Sequence, residues 1–406
     1  MAVTSVAVVG AGTMGSGIAQ LAATHGCRVR LIDVDSNALN RATRDISQLL
    51  HRSAEKPEST AARRGATLGS VSTAESVSDV GDVGLAIEAV VEDLDVKCRV
   101  LADLEAAIPV SAILATNTST LSIGQLAQSL RAPSRLIGMH FFNPATTIPV
   151  IEVISGEAED RTWSDAAMRV ARSWGKTPVL TKDTPGFIVN RVARGFYLEA
   201  LRLLAEGVGG VDEVDQVMRM HGRFQKGPFE LMDLVGVDVS LAVTTSIWER
   251  MNRSTRLEPH DIQKRLVKHG YLGCKTSRGF YSYLYEAPVP ACIVERRSFQ
   301  ISPLMADVMS AFCLKAGAVD AGSTEQYMLC RILGAIINEA ALTYDEGVAS
   351  ADDIDLAMVK GATHPRGPLE WADEIGHRTV RGMLKALNAS VADGRYKAAP
   401  LFAKAR

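Results

Sequence analysis

Residues 4–20, Thr4-Ser5-Val6-Ala7-Val8-Val9-Gly10-Ala11-Gly12-Thr13-Met14-Gly15-Ser16-Gly17-Ile18-Ala19-Gln20, decide the fold of this 406-residue chain. Thr4 to Val9 reads as a buried strand that stops at a glycine, and helical composition takes over from Ile18 to Ala23. In that order each glycine has a mechanical reason. Gly10 permits the tight turn, Gly12 lets a ligand approach the backbone, and Gly15 lets the helix pack closely on the strand. The first helical turn then offers unpaired N–H groups and a partial positive charge to an anion. Gly10, Gly12, Thr13, Met14 and Gly15 therefore form the expected edge for a dinucleotide pyrophosphate.

The next apolar run, Arg28 to Ile32, ends at Asp33, 18 residues beyond Gly15. A carboxylate at that spacing binds ribose hydroxyls and favours NAD over NADP, although Asp33 also suits a plain strand-end turn. Further on, the pattern predicts a helix over 38–50, a strand over 84–89, a helix over 96–107, a strand over 112–116, a helix over 123–130 and a strand over 135–139. This alternation is that of an α/β, Rossmann-type doubly wound sheet. His51 to Ser72 interrupts it with Pro57 and the cations His51, Arg52, Lys56, Arg63 and Arg64, and reads as a solvated basic insertion carrying no assigned site. Ligands of such sheets bind beyond the carboxyl ends of the strands, where Asn117, Ser119, His140 and Asn143 fall.

Composition narrows the function classes. Lys+Arg 44 against Asp+Glu 46 leaves a net charge of -2, without the positive field that nucleic-acid binding uses. No apolar stretch reaches the length of a membrane span and no leader pattern opens the chain, so a cytoplasmic protein with no membrane or nucleic-acid partner is expected. The six cysteines are scattered, with no zinc spacing, and nothing demands a metal.

Several ordered motifs add a resemblance. Ile113-Leu114-Ala115-Thr116-Asn117-Thr118-Ser119-Thr120-Leu121, Gly138-Met139-His140-Phe141-Phe142-Asn143-Pro144, Glu152-Val153-Ile154 and Asp183-Thr184-Pro185-Gly186-Phe187-Ile188-Val189-Asn190-Arg191 resemble the 3-hydroxyacyl-CoA dehydrogenase family. With the opening glycine turn and Gly273-Cys274-Lys275-Thr276 to Gly279-Phe280-Tyr281, the resemblance covers about the first seventy per cent of the chain. It implies NAD as cofactor, an acyl-CoA substrate, His140 as general base, Glu152 as its partner, and Ser119 and Asn190 as substrate contacts. It also places Glu92 and Lys97 beside the nicotinamide ribose, and Asn143 in the loop or nicotinamide pocket. One departure is Ala145 to Val150, where family members often carry a Pro-x-Met-Lys-like run, so acyl-chain preference is not read from this stretch.

The residue chemistry agrees with that assignment. Removing hydride from a carbinol carbon requires something to take the hydroxyl proton, and imidazole suits neutral pH. A carboxylate on the far ring nitrogen would fix its tautomer and stabilise the imidazolium. Ser119 and Asn190 would donate to substrate oxygens. Taken singly, each residue has a plainer reading: a satisfied strand-end His, an ordinary strand Glu, a helix N-cap Ser and a packing Asn. An NAD-dependent dehydrogenase of a free 3-hydroxy acid, or an inactive NAD-binding protein on the same fold, are the competing functions.

The second half repeats itself at an offset of 140 residues. Arg191, Glu199, Glu206, Asp215, Gly227-Pro228 and Asp233 recur as Arg331, Glu339, Glu346, Asp355, Gly367-Pro368 and Asp373. Two all-α domains therefore follow the sheet domain, with boundaries expected at 1–183, 184–285, a linker and leading helix at 286–323, and 324–406. Val189 to Ala205 is expected as one long helix, with a counterpart at Cys330 to Tyr344. The position matching Asn190 is Cys330, so one active site per chain is expected. The two copies are expected to pack as an internal pseudo-dimer, making the chain a monomer or a homodimer.

Overall fold

A computed structural model describes residues 3–52, 61–156 and 161–403. The chain divides into two compact units, Met1–Phe187 and Ile188–Arg406.

The first unit holds strands β1 (Ser5–Val9), β2 (Arg28–Ile32), β3 (Val71–Ala74), β4 (Leu85–Glu88), β5 (Ile113–Thr116), β6 (Leu136–Phe141), β7 (Val150–Ser155) and β8 (Thr177–Lys182). Its helices are α1 (Thr13–Thr24), α2 (Ser36–Arg52), α3 (Ala61–Gly69), α4 (Leu94–Ala107), α5 (Ile123–Ala127) and α6 (Arg161–Ser173). The strands join one sheet in the order β3-β2-β1-β4-β5-β6-β7-β8. All neighbours run parallel except β6 and β7. Every residue of β4, β5 and β6 is buried, as strands covered on both faces must be. One core, with Ile18, Leu21, Leu39 and Trp174, fills one face, and a second, with Leu101, Leu104, Leu126 and Phe187, fills the other. The strand order reverses between β1 and β4, which opens a crevice beyond their carboxyl ends.

Several elements differ from the sequence pattern. β3 escapes prediction because it is a four-residue edge strand whose central Ser72 and Thr73 face solvent. β7, α6 and β8 extend the sheet past the predicted alternation, and α5 stops at Ala127 instead of Leu130. α3 lies inside the stretch expected as an insertion, whose cations His51, Arg52, Lys56, Arg63 and Arg64 lie outside the residues whose side chains are described.

The second unit is helical. Its first copy comprises α7 (Val189–Val192), α8 (Arg194–Ala205), α9 (Val211–Met220), α10 (Pro228–Val235), α11 (Val237–Arg250) and α12 (Asp261–Lys268). A short hairpin, β9 (Tyr281–Ser282) with β10 (Val289–Pro290), then leads to α13 (Pro303–Ala316). The second copy comprises α14 (Ser323–Asp345), α15 (Ala351–Gly361), α16 (Pro368–Ile375), α17 (His377–Val391) and α18 (Pro400–Ala403). The long helix expected from Val189 is divided at Ala193. Among the described residues no single helix is long and apolar enough to cross a membrane.

The repeated motifs have matching physical uses. Asp215 accepts from the backbone N–H groups of Phe229 and Glu230 at the start of α10, and Asp355 does the same with Leu369 and Glu370 at α16. A Cβ on Gly227 or Gly367 would lie 2.2 or 2.3 Å from that carboxyl carbon, so only glycine leaves the aspartate room. The copies also exchange buried charges. Arg191 donates to Glu339 at 2.7 Å and to Glu346 at 2.6 and 2.9 Å, while Arg331 donates to Glu199 at 2.9 Å and to Glu206 at 3.0 Å. Each partner is the other's counterpart at the 140-residue offset, which is the self-complementary pattern of a two-fold interface within one chain. α8 crosses α14 at backbone contact, since a Cβ on Gly195 would stand 2.8 Å from the Ile336 nitrogen.

Candidate active site

The glycine turn has the shape its sequence requires. Gly10 has φ +108°, and a Cβ there would strike the Ala89 carbonyl oxygen at 2.4 Å. A Cβ on Gly15 would fall 1.8 Å from the Gly10 oxygen, so α1 can begin this close to β1 only without one. Nothing lies within 4 Å of the corresponding point on Gly12, the extended residue capping α1, which leaves the helix N-terminus open to a pyrophosphate. Thr13 and Met14 form the first helical turn. Asp33 sits at the end of β2 with Oδ2 accepting from Ala11 N at 2.7 Å and Oδ1 from Asp35 N at 2.9 Å. Its carboxylate thus stands against the same loop, where a ribose adjoining the pyrophosphate would lie. These residues fit NAD.

His140 and Glu152 come together on β6 and β7. Nδ1 of His140 lies 2.6 Å from Oε2 of Glu152, and both side chains are buried. The Nδ1 proton donates to the carboxylate, which leaves Nε2 as the ring atom for acid–base work. Phe142 and Phe187 border the imidazole, with ring centroids at 4.4 and 5.8 Å. Asn117, just past β5, accepts from Phe141 N at 3.0 Å and so ties the carboxyl ends of β5 and β6 together. Asn143 stands exposed in the turn after β6.

Ser119 lies on the loop after β5, and Glu92 organises that loop. Oε1 of Glu92 accepts from Thr118 Oγ1 at 2.7 Å, Ser119 N and Thr120 N at 2.9 Å, Thr120 Oγ1 at 2.9 Å and Ser119 Oγ at 3.3 Å. Burial disfavours the charged form of Glu92, but Lys97 and the donors from Thr118, Ser119 and Thr120 outweigh it and hold the carboxyl at about 2. Lys97 is itself buried, 2.7 Å from Oε1 of Glu88, whose other oxygen accepts from Thr116 Oγ1 at 2.6 Å. Ser119 is not a helix cap, since Ser122 caps α5.

Asn190 lies on α7 in the second unit. Its counterpart in the second copy, Cys330, is fully buried with its sulfur 3.5 Å from Cys313 Sγ, so that copy presents no amide there. Phe187 and Phe142 have no role assigned from sequence, although both lie inside quoted motifs.

A dinucleotide fold with a buried imidazole–carboxylate pair near its crevice defines an NAD-dependent oxidoreductase. The family model for the 3-hydroxyacyl-CoA dehydrogenase NAD binding domain matches residues 5–184, and that for the C-terminal domain matches twice, at 186–283 and 327–405. The chain belongs to the 3-hydroxyacyl-CoA dehydrogenase family. It is 33% identical to 3-hydroxyadipyl-CoA dehydrogenase of Escherichia coli, over 97% of this chain and 96% of the relative. It is 36% identical to 3-hydroxybutyryl-CoA dehydrogenase of Clostridioides difficile, over 68% of this chain and 98% of that protein. The crystal structure of 3-hydroxybutyryl-CoA dehydrogenase from Escherichia coli superimposes with a TM-score of 0.88 at 32% identity, covering 100% of this chain and 98% of that one. The double match of the C-terminal domain coincides with the 140-residue repeat.

Proposed function

We propose that the chain oxidises an L-3-hydroxyacyl-CoA to the 3-ketoacyl-CoA, reversibly, with His140 as general base and acid. The observation that carries this reading is the 2.6 Å contact between His140 Nδ1 and Glu152. Bound NAD supplies the hydride acceptor. Nε2 of His140 takes the proton of the 3-hydroxyl, and Glu152 stabilises the imidazolium that results. Ser119 and Asn190 donate to substrate oxygens and hold the carbinol. Gly10, Gly12, Thr13, Met14, Gly15 and Asp33 hold the dinucleotide, with Asn117, Asn143, Glu92 and Lys97 shaping the nicotinamide side. The CoA thioester class is supported by the named activities of the relatives.

NADH oxidation followed by absorbance with acetoacetyl-CoA, longer 3-ketoacyl-CoAs and free 3-keto acids tests this directly. Turnover of thioesters in preference to free acids is expected; turnover of free acids alone would contradict the reading.

The reciprocal arginine–glutamate pairs support a second part of the proposal, that the helical copies form an internal pseudo-dimer and the full chain is a monomer in solution. Light scattering should give the mass of one full chain.

A further inference from the structure

Resting on the reading of His140 as the base, we propose that Phe187 is a positioning residue: a turn closing the first unit drives its ring against the imidazole and fixes the plane in which His140 works.

The turn is built in steps. At the end of β8, Asp183 accepts from Ser122 Oγ at 2.6 Å and Gly124 N at 2.8 Å, which pins the chain to the start of α5. Thr184-Pro185-Gly186-Phe187 then closes a turn, with Phe187 N donating to Thr184 O at 2.9 Å. Gly186 has φ +78°, the conformation a Pro-Gly turn of this kind takes at its third residue. Phe187 follows with φ +49°. A bulky residue in the left-handed region costs about 1–2 kcal/mol, and glycine or asparagine would sit there at less cost. Its ring is nevertheless completely buried in the core that contains Ile123, Leu126 and Ile154.

The ring's destination supplies a reason for that cost. The hydrogen bond from Nδ1 to Glu152 holds one ring atom and leaves the residual swivel of the imidazole about χ1 and χ2 to be limited by its neighbours. Phe142, tilted by 55° at 4.4 Å, and Phe187, tilted by 56° at 5.8 Å, block the swivel. Aromatic rings at these separations also suit the imidazolium that forms during turnover, which an aliphatic side chain does not. Carboxylate and rings together determine where Nε2 stands relative to the substrate hydroxyl, and small errors there are costly in rate.

The test compares full-length variants, with active sites counted by NADH titration. Phe187→Leu keeps apolar bulk but removes the ring, and Leu104→Ala opens the same core beneath α4. Phe187→Leu should lower kcat about tenfold while the KM for acetoacetyl-CoA and the Kd for NADH stay within about twofold. Leu104→Ala should keep kcat within about twofold. Phe187→Met, which conserves volume, carries the same expectation should the leucine variant not fold. Wild-type kcat in the Phe187 variants, or an equal fall in Leu104→Ala, would overturn the proposal. His140→Gln is assayed beside them: turnover surviving in that variant would refute the base assignment, whereas its loss combined with an unaffected Phe187→Leu would refute only the positioning role.

Discussion

Glu152 stands directly opposite His140 in the antiparallel register of β6 and β7. Side chains directly opposed in an antiparallel pair lie on one face, within reach of each other. β6 and β7 are the one antiparallel pair in this sheet among the described residues, so the reversal of β7 is what brings the carboxylate to the ring. Both groups ride on buried strands, which limits their motion more than a loop would.

Replacing that carboxylate with an amide of equal size tests the coupling. In Glu152→Gln the ring loses its tautomer control and the charge that stabilises imidazolium. The kcat should fall about 10²- to 10⁴-fold with NADH affinity unchanged. Steady-state kinetics with acetoacetyl-CoA, together with fluorescence titration of NADH, checks both halves.

Asp33 governs the cofactor end. Asp33→Ala removes the carboxylate that faces the glycine turn, and the Kd for NADH should rise about tenfold, the worth of one charge-assisted hydrogen bond. The preference for NADH over NADPH should shrink at the same time, as titration of the two cofactors side by side will read.

Much of this was legible in the chain. The glycine turn is local chemistry, because Gly10, Gly12 and Gly15 each answer a steric demand within one strand–turn–helix. The repeat was legible because Arg191, Glu199, Glu206, Asp215 and Gly227 keep their roles at a fixed offset. What stayed hidden depends on distant contacts. β3 is too short and polar to show a period, the antiparallel turn of β7 leaves no mark in a run of apolar residues, and the hub at Glu92 joins residues 26 to 28 positions away in the chain. The contact of Phe187 with His140 spans the whole β7–β8 segment and no spacing rule predicts it.

The exchanged arginines predict a symmetrical loss. Arg191→Met and Arg331→Met each remove one guanidinium from a buried cluster in which Glu339 keeps Arg256 at 2.7 Å and Glu199 keeps Arg202 at 2.7 Å and Arg395 at 3.2 Å, so each should destabilise the helical unit by less than the about 3–5 kcal/mol of a fully unpaired buried charge. Chemical denaturation of the two variants should give similar losses, although the residues lie 140 positions apart.

His364, the counterpart of Phe224, packs edge-on against it with ring centroids 4.9 Å apart. Burial pushes its pKa down to about 3. An unfolded chain titrates this group near 6.5, so above about pH 6.5 neither state is charged and its contribution to stability is whole. Between about pH 6.5 and 3 the unfolded chain takes up a proton that the folded chain refuses, and stability falls by about 1.4 kcal/mol per pH unit. Urea midpoints measured from pH 7 to pH 4 should show this slope, and His364→Phe should flatten it.

The most direct measurement is a single-turnover oxidation of NADH by acetoacetyl-CoA in His140→Gln beside the unaltered chain. In that variant NADH binding should be unchanged and the chemical step slowed at least about 10²-fold, the low end of what a positioned acid–base group contributes. A chemical step within about threefold of the unaltered rate, well below any such contribution, would contradict the assignment of His140 as the base.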